Sequence, residues 1–271
     1  MESGAREQRF VFGEAAELYD RARAGYPDAL VEDVLGFVQG DGRPLRALEV
    51  GAGTGKATMV FAVRGLEILA LEPSPAMAAV AMRHCSRFPG VRIVGATFED
   101  WTVDASGFDL LFSAQAWHWV DPSVRYVKAA QVLRAGGTLA LFWHETHWRG
   151  EPLRDELDDL YRRLAPELHA RNPGFPGLRP RRQDDQGDEV AAEITGTGLF
   201  ADVTAQTYPW LASLTGDGLV ELLESQSDHR LLPEETRARL FEVLCELVAA
   251  HGGEIVVPHT SFLALARRRS T

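Results

Sequence analysis

A chain of 271 residues, 45% hydrophobic and 25% charged, suffices for one α/β domain with an elaboration and needs neither metal nor disulfide to fold. Its formal net charge of -11 argues against nucleic acid as a partner, because the basic clusters at 179–182 and 267–269 are an acid-flanked stretch and a short tail. Two cysteines far apart in sequence, a start without a signal-peptide core and no run of about 20 apolar residues predict a soluble, cytoplasmic protein with reduced thiols and no membrane partner.

No internal repeat is present. From residue 45 to 143 short apolar runs alternate with amphipathic segments, the pattern of a parallel sheet flanked by helices. Strands are predicted at 45–50, 67–71, 91–94, 108–112 and 138–143. Helices at 54–63 and 75–83 open on capping residues Thr54 and Ser74, and a third opens on Asp121 with Pro122 in the first position. Beyond residue 143 the pattern changes. An amphipathic helix carries Leu153, Leu157, Leu160, Tyr161 and Leu164, and a long surface loop covers 171–188. A helix at 190–195, a strand at 202–208, helices at 219–224 and 234–250 and a strand at 254–266 complete the chain. The expectation is one domain over 1–271. Its core spans roughly 30–143, 190–208 and 254–268, and its cap elements roughly 1–28, 144–189 and 209–252.

The strongest local signal is Leu48-Glu49-Val50-Gly51-Ala52-Gly53-Thr54-Gly55. Glycines after a strand and before a helix let the chain turn tightly and let a ligand lie on the backbone without meeting a Cβ. A dinucleotide fingerprint needs glycine at the sixth position, where Lys56 stands, so the spacing is wrong for NAD. At the end of the second strand, Glu72 follows Gly55 by 17 residues, with Pro73 and Met77 beyond it. A carboxylate there can accept both hydroxyls of a ribose.

Further motifs occur in a telling order. Phe12, Ala15, Tyr19, Asp20, Arg23 and Tyr26-Pro27 open the chain, and Thr97-Phe98-Glu99-Asp100 follows the third strand. Ser113-Ala114-Gln115-Ala116-Trp117-His118-Trp119-Val120-Asp121 follows the fourth, and Leu133-Arg134-Ala135-Gly136-Gly137 precedes the fifth. Ser225, Ser227 and Pro258-His259-Thr260 come late. With the G-x-G-x-G loop these residues resemble the class I S-adenosylmethionine-dependent methyltransferases of type 11, in their trans-aconitate-methyltransferase-like branch. The resemblance covers nearly the whole chain and implies a Rossmann-like α/β fold: a seven-stranded mixed sheet, its last strand antiparallel, with helical cap insertions. It implies S-adenosyl-L-methionine held by Glu49, Gly51, Ala52, Gly53, Gly55, Glu72, Pro73 and Met77. Thr97, Phe98 and Glu99 fall where the family contacts adenine, Ser113 and Gln115 at the fourth strand's mouth, and Tyr19 and Arg23 over the methionine end.

Methyl transfer from a sulfonium is an in-line displacement, so alignment is its main demand, and a base is needed only when the acceptor starts protonated. The substrate-facing candidates are Tyr26, Trp117 and His118, then Trp143, His147 and Trp148 around the fifth strand's end, and His229 from a polar stretch of the cap. Packing or hydrogen bonding is the favoured account of Trp117 and His118, a helix packed on the sheet is an equal account of Tyr26, and an exposed loop is the alternative for Trp143, His147 and Trp148. His144 is the candidate base, since an unperturbed imidazole titrates at about 6.5. His144-Glu145-Thr146-His147 lacks the i, i+4 histidine spacing of a zinc helix, so no metal is expected. A small-molecule methyl acceptor is the expected substrate. An NAD(P)-dependent oxidoreductase, and a cyclase or binding protein that keeps the same cofactor, are the rival readings.

Overall fold

Residues 16–22, 25–40, 42–103, 107–146, 153–171, 185–225 and 227–270 are described by the structure, a computed structural model. Two helices, α1 (Ala16–Ala22) and α2 (Asp28–Phe37), lead into β1 (Arg46–Val50), α3 (Lys56–Ala62), β2 (Glu67–Leu71), α4 (Pro75–Cys85) and β3 (Val91–Val94). Then come β4 (Phe108–Ala114), α5 (Arg125–Val132) and β5 (Leu133–Thr146). The second half holds α6 (Leu153–Leu164), α7 (Pro166–Arg171), α8 (Asp185–Gly196), β6 (Phe200–Thr215), α9 (Gly216–Glu224), α10 (Glu234–Ala250) and β7 (Glu254–Arg268).

The strands form one seven-stranded sheet in the order β3-β2-β1-β4-β5-β7-β6. β1 to β5 are mutually parallel, and β7 runs antiparallel to both β5 and β6. The fold expected from the sequence, including the reversed last strand, is the fold observed. Its order reverses between β2-β1 and β4, the switch point at which open α/β sheets bind ligands. Every residue of β4 is buried, as a strand covered by helices on both faces must be.

Each face has its own apolar layer. Leu30, Val31 and Val34 of α2 and Phe61 of α3 cover Phe112 and Phe142 on one side. Tyr126, Ala129 and Val132 of α5 and Ile194 of α8 cover Leu111, Leu139 and Leu141 on the other. A third core lies in the cap, where α6, α9 and α10 bury Leu157, Leu160, Leu219 and Leu244 against Ile255 and Val257.

Several boundaries differ from the sequence reading. Thr54 does not cap α3: Gly55, at φ 87°, carries the chain into the helix instead. Asp121 does not start a helix either. Its carboxylate accepts the Ser123 N–H at 2.8 Å, closing a local turn, and α5 begins at Arg125. β5, β6 and β7 all outrun their expected lengths: Leu133 of β5 already pairs with Phe108 of β4, and β7 pairs with β5 as far as Thr146 and with β6 from Phe200 to Thr215. The helix expected at 190–195 begins at Asp185, inside the stretch read as loop.

The amino end of the central strands is tied together at Asp109 of β4, 1% exposed, which accepts from Arg43 Nη2 (2.9 Å), Arg134 Nε (2.6 Å) and the Arg46 N–H (2.9 Å). Burial pushes its pKa up. The Arg134 and Arg46 hydrogen bonds, with the Arg43 and Arg134 charges, outweigh that and hold the carboxylate below its ordinary value. Arg134 of the R-x-G-G turn therefore serves the fold. Asp109→Ala is expected to lower unfolding stability by about 1–3 kcal/mol, the scale of orphaned donors, because the two arginines still reach water. Urea unfolding checks this, and an unchanged midpoint would remove the anchor.

Candidate cofactor cavity and active site

The glycine loop is held by the second strand. The N–H groups of Gly51 and Ala52 both donate to the Leu71 carbonyl at 2.9 Å. One residue on, Glu72 is 7% exposed; its Oε2 accepts the Gly53 N–H and its Oε1 the Ser74 N–H, each at 2.8 Å. All three loop glycines have positive φ, at 75°, 58° and 87°. Their missing side chains do different things. A Cβ on Gly51 would lie 2.3 Å from the Ala116 Cβ, and one on Gly55 would lie 3.2 Å from the Ala81 Cα of α4. A Cβ on Gly53 meets nothing within 4 Å and would project into open space.

Glu49 sits beneath this loop, fully buried. The Thr58 hydroxyl donates to its Oε2 at 2.5 Å, and Oε1 has no partner among the described residues. Burial pushes its pKa up to about 8, against a lowering by the Thr58 hydrogen bond and with a further push from the nearby Glu72 charge. Burial thus favours the neutral form of Glu49. Glu72 is also raised by burial, less so because of its two backbone N–H donors.

A cavity of about 350 Å³ opens over these groups, at the carboxyl ends of β1, β2 and β4. Glu49, Gly51, Ala52 and Gly53 border it, as do Glu72, Pro73 and Met77. Thr97, Phe98 and Glu99 form a second side, with the Thr97 hydroxyl bonded to Asp100 and the Glu99 carboxylate accepting the Asp121 N–H. Gln115 borders the cavity just past β4 at φ 62°, a conformation rarely adopted by a residue with a Cβ. Tyr26, His118 and His144 complete the set of sequence candidates around this space.

Other candidates lie elsewhere. Gly55 packs on Ala81 and Cys85, away from the cavity. The Ser113 hydroxyl is buried and donates to the Val50 carbonyl, pinning β4 to β1. Trp117 is core, against Phe98 and Tyr126, and Trp143 stacks on Phe262 on the sheet face opposite to His144. His229 is 0% exposed inside the cap, bonded through Nε2 to the Tyr161 hydroxyl at 2.7 Å, with its pKa pushed down to about 4 by burial. Tyr19 lies in α1, where only its backbone is described, and Arg23, His147 and Trp148 fall outside the described residues.

The cavity also has walls that the sequence reading left out of its site: Lys56, Leu222 of α9 and His259 of β7. The sheet register explains the last. His144, Ser261 and Tyr208 stand abreast on β5, β7 and β6, and Thr146, His259 and Trp210 form the next row on the same face. The Trp210 indole N–H donates to Ser261 Oγ (3.0 Å), which also bonds His144 Nδ1 (2.8 Å). Tyr26 packs on His144 with ring centres 4.6 Å apart. The signal was present: His259 and Ser261 interrupt an otherwise apolar stripe of Ile255, Val257, Leu263 and Leu265 on β7.

The family pattern described as a methyltransferase domain matches residues 48–141, the segment carrying the glycine loop and Glu72. An uncharacterized methyltransferase of Mycobacterium tuberculosis is 30% identical over 251 residues, covering 93% of this chain and 90% of the relative. The chain belongs to the methyltransferase family. Among solved structures, this methyltransferase is similar to one from Anaeromyxobacter dehalogenans provisionally assigned as a type II methyltransferase, with TM-score 0.61 and 24% identity, covering 91% of this chain and 97% of that one. It also shares its fold with the Haemonchus contortus phosphoethanolamine N-methyltransferase 2 solved with phosphomonomethylethanolamine and S-adenosylhomocysteine (TM-score 0.55, 14% identity, 95% of this chain and 58% of that one).

The methyltransferase's cofactor is S-adenosylmethionine, and the donor set fits it. Glu72 gives one lone pair per oxygen to the backbone and keeps others for hydroxyls, Gly53 leaves the surface open, and the buried Glu49 Oε1 has no partner among the described residues. Among the described residues no cluster of three His, Cys, Asp or Glu could hold a metal ion, and no helix is long and apolar enough to cross a membrane.

Glu49 gives this site a pH signature. Its folded pKa of about 8 lies above the ordinary 4.5, so over that window the folded state holds a proton that the unfolded state has released. Folding stability should therefore fall as pH rises from 4.5 to 8 and level off above. Glu49→Gln removes this contribution. Thermal unfolding across the window should show a shallower decline in the variant than in the wild type, and equal slopes would mean that buried Glu49 is ionised throughout.

Proposed function

We propose that this S-adenosylmethionine-dependent methyltransferase transfers its methyl group to a small molecule, and that it belongs to the trans-aconitate-methyltransferase-like branch. The observation that carries the reading is the continuity of the cavity. The Glu72–Gly53 cradle and a side walled by Tyr26, His118, His144 and His259 belong to one continuous cavity of about 350 Å³, a volume within the roughly 300–1,000 Å³ range of small-ligand pockets. Among the branch residues, His118 and Trp119 border this space while Trp117 supports them from the core.

In this reading Glu72 accepts the ribose hydroxyls, Phe98 and Glu99 flank the adenine, and Glu49 and Gln115 face the methionine end. The cofactor supplies an electrophilic methyl group on a sulfonium. The chain's own contribution is alignment, which alone can supply about 7–11 kcal/mol, together with exclusion of water beneath the cap. Lys56 at the position of the third dinucleotide glycine weighs against an oxidoreductase. A cyclase or binding protein would use the same cradle, and release of S-adenosylhomocysteine separates it from a methyltransferase.

Calorimetry is expected to show binding of S-adenosylmethionine and S-adenosylhomocysteine and none of NADH. Glu72→Ala should weaken that binding by about 1.5–3 kcal/mol, the worth of hydrogen bonds to a charged group. Gly53→Val should abolish it in a folded protein, because the added side chain enters the cavity. A normal dissociation constant in either variant would overturn the cradle.

A further inference from the structure

The glycine loop is fastened from a third direction. His84, near the end of α4, points its Nδ1 at the Thr54 carbonyl from 3.0 Å. A carbonyl oxygen only accepts, so Nδ1 carries a hydrogen and donates it. The Gly55 N–H of the same peptide unit donates to the Ala52 carbonyl at 2.9 Å. With Glu72 on the Gly53 N–H, the turn that borders the cavity is held on both sides. α4 also meets the loop where Gly55 lies against Ala81 and Cys85.

The other edge of the same ring faces α1. His84 Nε2 stands 3.4 Å from Asp20 Oδ2, an ion pair when the ring carries both protons. Further contacts seat α1: Glu17 pairs with Arg83 of α4, and Arg21 Nε reaches Glu221 of α9 at 3.4 Å. Ala16 adds a small apolar contact with Met77 and Val80. α1 is seven residues long, and a helix that short is not stable without its tertiary contacts. Its seating matters to the site, since Met77 of α4 and Leu222 of α9, on the two helices it joins, border the cavity. The Glu17 and Arg21 pairs are exposed, where an ion pair contributes little. The Asp20–His84 pair is the least exposed of the three, and it is the one that continues to the glycine loop.

We propose that His84 is a positioning residue that couples the glycine loop to α1, so that binding the cofactor and seating α1 favour each other. The inference rests on the cradle reading above. A cofactor that holds the turn from Gly53 to Gly55 keeps the Thr54 carbonyl aligned on His84, and the ring then holds Asp20. The connection works equally in reverse, because α1 seated on α4 steadies the loop that meets the cofactor. Such coupling is reciprocal by thermodynamic necessity.

The full chain is titrated with S-adenosylhomocysteine by calorimetry, and hydrogen exchange of the α1 amides is followed with and without it. In the wild type the ligand should slow that exchange. His84→Gln should weaken binding by about 5–10-fold and lose most of the slowing. Asp20→Ala should weaken binding about as much and lose the slowing too. Alanine is the better helix former, so that loss cannot come from a weaker helix. The double variant should bind no more weakly than His84→Gln, because both changes cut one connection. Arg21→Gln breaks the exposed pair to α9 and should leave affinity within about twofold. Thermal unfolding checks that each variant is folded, and Asp20→Ala carries the test by itself should His84→Gln unfold. Additive losses in the double variant, or full slowing of α1 exchange in either single variant, would overturn the coupling. So would an equal loss in Arg21→Gln, which would make α1 a cover that acts without the ring. A wild type that binds no S-adenosylhomocysteine would overturn the cradle and this proposal together, whereas binding with an unresponsive α1 overturns this proposal alone.

Discussion

At the head of the sheet four backbone N–H groups point to the end of β2: Gly51 and Ala52 to the Leu71 carbonyl, Gly53 and Ser74 to the Glu72 carboxylate. Without them the turn after β1 would carry unsatisfied donors in a region with little access to water. Burying a carboxylate is unfavourable in itself, and the upward push on Glu72's pKa records that. Two short N–H bonds offset much of the cost, and in exchange the loop is fixed by a group that still has acceptor capacity on its outer side. One side chain thus sets the loop's shape and presents the cradle's charge.

The second constraint is the direction of β7. In a sheet whose β1, β2 and β4 end at the cavity, a reversed strand approaches it from its first half instead. A single face of β7 then runs from the cap core at Ile255 and Val257, past His259 and Ser261 at the cavity, to Leu263 and Leu265 in the sheet core. The strand anchors cap and core with the same alternating face and sets two polar residues between them. Lengthening β6 beside it brings Trp210 opposite His259. The chemistry of the acceptor wall is in this sense a consequence of strand polarity.

What the sequence revealed and what it hid follow the same division. The glycine loop, Glu72 and the parallel strands depend on neighbours close in the chain, and they were legible from spacing. Gly55 reads as part of the ligand loop, yet its freedom is used to let α3 approach Ala81 of α4, a tertiary contact with no local mark. Trp143 and His144 are adjacent and face opposite sides of β5, so which one meets the cavity depends on burial of the whole sheet. His229 sits in a polar stretch that suggests solvent, but its pairing with Tyr161 lets it be buried in the cap. His259 needed the pairing of three strands, two of them separated by about a hundred residues of chain, before it could be placed.

The distribution of ionisable groups around the cavity suits a reaction that moves positive charge. A sulfonium loses its charge when the methyl group leaves, and a protonated acceptor passes an equal charge to its base. Carboxylates fully ionised on the donor side would favour the starting cation and oppose that movement, since only interactions stronger in the transition state accelerate the step. Burial pushes the pKa of Glu49 up, which tempers this effect while keeping a hydrogen-bonding group under the loop. On the acceptor side the imidazole of His259 stacks on the Trp210 indole, whose π face favours a cation.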